Sequence, residues 1–508
     1  MSATAEKDPK ASGAATRRRW LCDKPTVTIL FYTDDERINL YMADLNGTNG
    51  FGLFTLRRLI LEHGSDLADF EIVLVNRHEG GHGQHKLTPE LLADYDQVWF
   101  FGGDQYANTR TDPENELTDT EVDALETWMR TGGVLMTGDH ANSRPDDVDP
   151  DLNDLLGLGR AIGHRVPRAG KLRRWEGPPG QDDFVDPLGH ASHPYNTQRR
   201  THALGDDPGN PFAEEQDDVP QRLILTTYGA PQALPFQTSA YAARVHPLFC
   251  ARTGAITVFP DHMHEGHLNV LGALPAAEWP SAPNGVQPRP EVVARGINTH
   301  GPGEPVYDLV VAYDGSSAGV GRIVADSTWH HYFNVNLVGF VPDGDVMNQF
   351  AQYYVNLAVW LCPTVKRGAI YCHQRWRVVS DPSVQMAATG TMHGLGRAAA
   401  GVLTRSLGPC ALRDVFMPLA ISARLAQDLP EPPITLVVGG VVRAYLDAFR
   451  RAAAGEAVED SVDDLVTKGV RAAYAECLTG LEESADRLRN AARRFDEQIA
   501  RVGPAGEP

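Results

Sequence analysis

Acidic and imidazole side chains follow several short apolar runs of this sequence. The densest segment is Asp261 to His267, where five ionisable groups occur in seven residues directly after such a run. Similar groups follow four other runs, at Asp34-Asp35, Asp104, Asp139-His140, and Asp326 with His330 and His331. Imidazoles suit proton transfer near neutral pH and metal ligation. Twelve of the 18 histidines lie between positions 140 and 331, where an even spread would place about seven.

The apolar runs alternate with helical patterns, which is typical of a parallel sheet covered by helices. The predicted strands span residues 26–32, 71–76, 97–101, 134–137, 223–227, 255–259, 309–312 and 321–325. The first four are apolar on both faces, as in strands buried between helices. Ligands of such sheets bind in the crevice at the carboxyl ends of the strands. We therefore expect an open, mostly parallel α/β sheet, with five strand ends that bring carboxylates and imidazoles to one edge.

The helices between these strands have recognisable start signals. Thr118 followed by Glu121 is a capping-box arrangement, and Thr88 is suited to cap a shorter helix. Residues 141–220 and 275–305 lack periodic patterns and are rich in loop-forming residues, so we predict two long loops. Loops of that length inside a compact domain are usually functional.

Three regions follow from this pattern. Residues 1–24 are predicted to be a disordered leader, residues 25–345 an α/β domain, and residues 346–508 a helical region. The run Arg17-Arg18-Arg19 resembles a twin-arginine export signal, but no long apolar segment follows it. We therefore expect a cytoplasmic protein.

The last predicted helix carries a heptad pattern of apolar residues. The pattern comprises Tyr474, Leu478, Leu481, Ala485, Leu488, Ala492, Phe495, Ile499 and Val502. Such a seam fits a coiled coil between copies of the chain, and it fits equally a long helix that packs on its own domain. A homo-oligomer formed through this helix is therefore one of two predictions.

The overall charge excludes some partners. The 508 residues include 46 Lys and Arg against 66 Asp and Glu, a formal net charge of −20. Nucleic acids and anionic membranes select for basic surfaces, and no apolar run is long enough to span a bilayer. The six cysteines form no CxxC pair, so we expect reduced thiols rather than a disulfide framework or a zinc ribbon.

The segments YDQVWFFGG, GGVLMTGDH and PDHMHEG resemble the class I glutamine amidotransferase-like superfamily, and most closely its ThuA-like (trehalose utilisation) branch. The resemblance covers about residues 25 to 340 and implies a flavodoxin-like sheet. Amidotransferases of this fold use a cysteine after a central strand, but here the equivalent turn is Gly138-Asp139-His140 and no cysteine occurs between positions 23 and 249. Cysteine-dependent glutamine hydrolysis is therefore not expected. The ThuA-like branch implies a histidine at His140 and a sugar-like substrate.

Two mechanisms fit these residues. In the first, His140 and His264 are general acid and base, oriented by Asp139 and Glu265, in the hydrolysis or isomerisation of a polar, sugar-like or amide substrate. The predicted substrate-binding groups are Asp104, Arg174, Trp175, Asp326 and His330. In the second, Asp261, His262 and His267 hold a divalent metal that activates water.

A non-catalytic alternative stays open. Asp104 could be only a helix cap, the arginines near Arg174 could serve only salt bridges, and the aromatic run after Asp326 could simply pack. The fold can also bind a ligand without turning it over. The chain is therefore predicted to be a small-molecule enzyme or, alternatively, a ligand-binding or scaffold protein.

Overall fold

A computed structural model describes most of the sheet and most of the C-terminal helices. The described residues are 22–33, 38, 40, 52–81, 83–101, 118–137, 171–174, 220–228, 244–252, 254–260, 266–269, 279–297, 306–327, 331–337, 340, 343–408, 415, 434–456, 458 and 460–502. All structural statements below concern these residues.

The described chain contains fifteen strands and ten α-helices. The strands are β1 Thr26–Thr33, β2 Asp69–Asn76, β3 Gln97–Phe101, β4 Gly133–Thr137, β5 Lys171–Arg174, β6 Gln221–Leu225, β7 Thr227–Tyr228, β8 Arg244–Val245, β9 Cys250–Ala251, β10 Gly254–Ala255, β11 Val258–Phe259, β12 Gly266–Asn269, β13 Glu291–Ile297, β14 Val306–Asp314 and β15 Arg322–Asp326. The helices are α1 Phe54–Gly64, α2 Pro89–Leu92, α3 Asp119–Trp128, α4 Asn334–Leu337, α5 Gly344–Trp360, α6 Thr364–Ser380, α7 Pro382–Ala387, α8 Met392–Leu403, α9 Ile434–Ala453 and α10 Val462–Val502.

Nine strands form one sheet in the order β11-β6-β13-β14-β15-β4-β3-β1-β2. The pairs from β15 through β4, β3 and β1 to β2 are parallel. The pairs from β15 through β14, β13 and β6 to β11 are antiparallel. The prediction of an α/β sheet is confirmed, but the sheet is mixed, and its parallel part comes mainly from the N-terminal strands.

Buried apolar residues fill the parallel strands β3 and β4, which lie inside the sheet. Every residue of β3 and of β4 is buried, as expected for strands covered on both faces. Across β1 and β3 the ring of Phe31 stacks on Trp99 with centroids 5.2 Å apart, and it meets the ring of Phe101 edge-on with centroids 5.1 Å apart. The first four predicted strands and the helix starts at Thr88 and Thr118 are confirmed.

One strand was missed by the sequence analysis. The prediction that residues 275–305 form a loop is wrong for Glu291–Ile297, which form β13 between β6 and β14. The flanking prolines and two charged residues conceal the strand in the sequence. Proline is tolerated just before a strand, because the backbone N–H that it lacks would not yet be hydrogen-bonded to a neighbouring strand. Of the predicted loop 141–220, the described residues include β5, which pairs with β12 in a two-stranded antiparallel ribbon.

By its contacts the chain divides into two compact units. The first, called the sheet unit here, comprises Lys24–Ile370 and Ser406–Cys410. The second, called the helical unit, includes Tyr371–Arg405 and Ala411–Pro508. The sequence placed its change to helical character near residue 345, whereas helix α5 lies within the sheet unit.

Disulfides contradict the prediction of reduced thiols. Cys22 is bonded to Cys372, 350 residues later in the sequence, and Cys250 is also disulfide-bonded. Cys362 and Cys477 are free thiols. The even scatter of cysteines concealed the Cys22–Cys372 pair because its two members meet only in the folded chain. Residues 22–24 of the predicted leader are described, and the remainder of that leader lies outside the described residues.

Within the described part of the chain, no helix combines the length and the apolar character needed to cross a membrane.

Candidate functional site

The carboxyl ends of five strands lie at one edge of the large sheet. β1, β3, β4 and β15 are parallel to one another. Four successive antiparallel pairings lead from β15 to β11, so β11 runs in the same direction as β15. The five last residues are Thr33, Phe101, Thr137, Phe259 and Asp326. The predicted convergence of these strand ends is therefore confirmed for the strands themselves.

Most predicted site residues lie outside the described residues. These are Asp104, Asp139, His140, Trp175, Asp261, His262, His264, Glu265 and His330. Arg174 and His267 are described only through the backbone of the β5–β12 ribbon, where Arg174 is opposite Gly266 and His267 is opposite Arg173. The ribbon thus brings a predicted substrate-binding residue and a predicted metal ligand to neighbouring positions.

Asp326 is the one predicted site residue whose side-chain contacts are described. It ends β15, and its side chain is fully buried. Its carboxylate oxygens lie 2.8 and 3.0 Å from Nδ1 of His331, which is also fully buried. Because a carboxylate accepts hydrogen bonds, Nδ1 of His331 donates, and Nε2 is then the basic nitrogen of the ring.

Three tyrosines surround this aspartate–histidine pair. The hydroxyl of Tyr332 donates to Oδ2 of Asp326 at 2.8 Å and lies 3.3 Å from the hydroxyl of Tyr353. Tyr354 donates its hydroxyl to the backbone carbonyl of His331. Burial, reinforced by the nearby charge of Asp326, raises the pKa of all three phenols well above the usual value. The three hydroxyls therefore stay protonated and act as donors at neutral pH.

An aromatic wall holds the imidazole in place. The ring of Phe259, the last residue of β11, meets the His331 ring edge-on with centroids 4.8 Å apart. The Phe259 ring also packs on Tyr353, with centroids 4.4 Å apart. Phe259 directly precedes Pro260 and the Asp261–His267 segment that the sequence identified as richest in ionisable groups. The tertiary structure therefore joins the ends of β11 and β15.

His331, Tyr332 and Tyr353 are absent from the predicted site residues, although His331 is one of the ionisable groups noted after β15. The prediction preferred His330 to His331, although both follow the same strand. In a turn, sequence spacing does not reveal which of two adjacent side chains faces the strand end. Tyr353 lies on α5, and its contact with Asp326 through Tyr332 depends on how that helix packs against the sheet.

A second buried histidine lies at the opposite edge of the sheet. His246 packs edge-on against Trp360, and its Nε2 lies 4.0 Å from Oε1 of Glu291 at the start of β13. Burial, with a further contribution from the positive charge of Arg322, lowers the pKa of His246 to about 3. Its Nδ1 accepts a hydrogen bond from the backbone N–H of Leu248. His246 is therefore neutral and structural at physiological pH.

A buried ion pair follows β2. The guanidinium of Arg77 binds both carboxylate oxygens of Glu121, and both side chains are nearly inaccessible. Glu121 also accepts from the backbone N–H of Leu87 at 3.0 Å and completes the capping box with Thr118. These contacts of Glu121 join Arg77, the backbone of Leu87 and the helix cap at Thr118, so we interpret the ion pair as structural.

In the portion of the chain that is described, no group of three or more His, Cys, Asp or Glu side chains is arranged to hold a metal ion. The metal ligands predicted at Asp261 and His262 lie outside that portion, and only the backbone of His267 lies within it. The metal site therefore stays a prediction.

Comparisons of the chain with protein-family models, with curated proteins and with solved structures give no match. The function is therefore argued from the geometry at the carboxyl edge of the sheet.

Proposed function

We propose that this protein is an enzyme that acts on a small polar molecule by general acid–base catalysis at the carboxyl edge of the sheet. The observation that carries the proposal is the hydrogen-bonded pair of Asp326 and His331 at the end of β15. This edge of an α/β sheet is the usual position of ligand sites. An imidazole oriented by a carboxylate is a common design for moving a proton near neutral pH.

The roles of the residues follow from their contacts. Asp326 accepts from Nδ1 of His331, and in this proposal Nε2 takes a proton from the substrate hydroxyl or from water. Asp326 then stabilises the imidazolium that forms, and the same nitrogen returns the proton to the leaving group. Tyr332 fixes the carboxylate through Oδ2. His140 and His264, with Asp139 and Glu265, remain the proposed partners of this pair.

The proposed substrate is sugar-like or an amide, and this part of the proposal rests on the resemblance to the ThuA-like branch of the class I glutamine amidotransferase-like superfamily. The order β2-β1-β3-β4-β15 of the parallel strands supports a flavodoxin-like arrangement. We do not propose a glutaminase, because no cysteine follows the central strands β1, β3 and β4.

The test compares two histidines that are both buried in the sheet unit. His331→Asn keeps a donor toward Asp326 but removes the basic Nε2, whereas His246→Asn makes the same change at the opposite edge. The purified full-length variants and the wild type are assayed on a panel of nitrophenyl glycosides, sugar lactones and amides. We expect His331→Asn to lower kcat/KM by about 100-fold or more and His246→Asn to leave it within about threefold.

Asp326→Asn is the second variant of this test, because it reverses the polarity of the hydrogen bond to His331 without changing shape. It should lower kcat and leave KM nearly unchanged, as expected for a group that acts in the transition state. Equal activity of wild type, Asp326→Asn and His331→Asn on a substrate of the panel would overturn the acid–base role.

Asp326 and His331 are completely buried, so a reacting group would not reach them without a rearrangement. This burial favours a second candidate, a ligand-binding protein without turnover. In that case the panel compounds would raise the melting temperature of the wild type but not of the Asp326→Asn variant, with no product formed. The same proteins and the same panel of compounds therefore distinguish an enzyme from a ligand-binding protein.

The proposed divalent metal needs a separate measurement. Elemental analysis of protein never exposed to chelator should give about one equivalent of Zn, Mn, Fe or Ni if the metal mechanism holds.

The Cys22–Cys372 disulfide weighs against a cytoplasmic location, because disulfides are rare in reducing compartments.

A further inference from the structure

Helix α10 continues well beyond its packing partner. Its first turns bury Leu465, Val466, Val470 and Ala473, and they pack beside α9 in the helical unit. From residue 475 to residue 498 every side chain is exposed or half-buried. At 1.5 Å per residue this exposed part is about 36 Å long.

Large apolar side chains are exposed along one line of this part. Leu478, Leu481, Leu488 and Phe495 are between 48% and 67% exposed. They fall on the heptad seam, with Leu478, Ala485 and Ala492 at the a positions and Leu481, Leu488 and Phe495 at the d positions. The prediction that this seam packs on its own domain is therefore wrong for these described side chains. A solvated helix of this length with an apolar seam is a surface for another helix.

The sizes of the seam residues distinguish two arrangements of a second copy. Side by side and parallel, Ala485 would face Ala485 and Ala492 would face Ala492, which leaves two gaps in the seam. In an antiparallel pair centred between residues 486 and 487, each a position faces a d position. Ala485 then faces Leu488, Ala492 faces Leu481, and Leu478 faces Phe495. Every small residue thus meets a large one.

The charges favour the same arrangement. Residues 475–486 contain four acidic side chains and no basic one, whereas residues 487–498 contain four arginines and two acidic side chains. An antiparallel pair places the acidic half of each helix on the basic half of the other. Glu482 and Arg489, both at e positions beside the seam, then face each other twice in the dimer, as e positions do in antiparallel coiled coils.

We propose that the exposed half of α10 pairs with the same segment of a second copy of this chain as an antiparallel two-stranded coiled coil centred between Asp486 and Arg487. This pairing covers the exposed leucines and Phe495, and it leaves Asn490 on the outer face. The proposal is independent of the catalytic role of His331.

Charge exchange tests the direction of the pair in the full-length protein. Sedimentation equilibrium over about 1 to 100 µM should give a dimer for the wild type. Glu482→Arg creates two like-charge contacts and should weaken the dimer by about tenfold, as should Arg489→Glu. The double variant Glu482→Arg/Arg489→Glu should return the dissociation constant to within about threefold of the wild type. Asn490→Glu, outside the seam, is the matched control and should have no effect.

Cross-linking gives a second, independent measurement. Cys477 is a free thiol at a g position, and in the antiparallel pair it faces Gln498 of the second copy. Gln498→Cys should therefore give a disulfide-linked dimer on oxidation, identified by peptide mass spectrometry as Cys477 joined to position 498. Asn490→Cys should give no link to Cys477.

Three results would overturn the proposal. The first is a wild-type monomer throughout the concentration range. The second is a dimer that survives Leu488→Glu with unchanged helical content by circular dichroism, since that variant places a charge in the seam. The third is a double charge variant whose dimer dissociation constant is no lower than those of the single variants. That result would indicate a parallel pair.

Discussion

At the residue scale, His246 and His331 illustrate how burial alone does not define a role. Both imidazoles are buried in the sheet unit. His331 is held by a carboxylate at the edge where strands end, whereas His246 accepts from a backbone N–H and has a carboxylate only at 4.0 Å. The first arrangement orients the ring through Nδ1 toward a carboxylate, whereas burial lowers the pKa of His246 and keeps its ring neutral.

The depressed pKa of His246 predicts a specific acid sensitivity. The pKa of His246 is about 3 in the folded protein, whereas the ordinary pKa of histidine is 6.5, so between these pH values the unfolded chain binds a proton that the folded chain does not. Stability is therefore fully present above about pH 6.5 and is lost as the pH falls toward 3, by at most about 1.4 kcal/mol per pH unit. Between pH 7 and pH 5 the wild type should lose about 2 kcal/mol more than His246→Asn.

Urea unfolding of both proteins at pH 7, 6 and 5 measures this difference. His246→Asn should be the less stable protein at pH 7, since it loses the ring contact with Trp360. The difference in the free energy of unfolding between the two proteins should decrease as the pH is lowered. Parallel loss of stability in the two proteins would show that His246 is not the group that titrates.

At the element scale, two helices start at the caps that the sequence predicts, whereas the packing of helices on one another is not visible in the sequence. Thr118 and Glu121 are sufficient to begin α3, because both partners of a capping box are local. The close packing of α8 on α9 depends instead on glycines far apart in the sequence. A Cβ atom on Gly439 of α9 would lie 1.9 Å from the carbonyl oxygen of Met392 at the start of α8.

Two glycine substitutions in the helical unit should therefore have opposite effects. Gly439→Ala forces α8 and α9 apart and should destabilise the protein by about 1 to 3 kcal/mol or more. Gly401→Ala, on the exposed face of α8 with nothing within 4 Å of the added methyl group, should stabilise it by about 0.5 to 1 kcal/mol. Thermal unfolding followed at 222 nm measures both changes. Equal melting temperatures of the two variants would show that α8 and α9 do not pack closely at Gly439.

At the scale of the whole molecule, residues distant in the sequence hold the chain together. The Cys22–Cys372 disulfide closes a loop of 350 residues, and its two cysteines lie just before β1 and within α6. A cross-link across so long a loop lowers the entropy of the unfolded chain much more than that of the folded chain. The disulfide therefore stabilises the folded protein.

Removing this disulfide should lower stability by about 2 to 4 kcal/mol. Cys22→Ser and Cys372→Ser should have the same effect, and the double variant should be no less stable than either single variant, because both remove one bond. Cys477→Ser is the control and should leave the unfolding midpoint unchanged. Peptide mapping that finds free thiols at positions 22 and 372 in protein purified without reductant would contradict the pairing.

The sequence by itself determined the local features of the fold. Strands β1 to β4, the capped helices α2 and α3, and the long helix α10 follow from short-range apolar periodicity and from capping residues that act within one turn. It also predicted that five strands end on the same side of the sheet, and the strand directions agree, although β11 reaches this direction through four antiparallel pairings rather than a parallel crossover.

Only the tertiary structure decided the features that depend on distant partners. It selected His331 as the partner of Asp326, added Tyr332 and, from α5, Tyr353, and inserted β13 into the sheet. It also paired Cys22 with Cys372 and left the seam of α10 exposed. The physical reason is the same in each case, because burial and cross-chain hydrogen bonds depend on which elements pack together, and local periodicity carries no record of that choice.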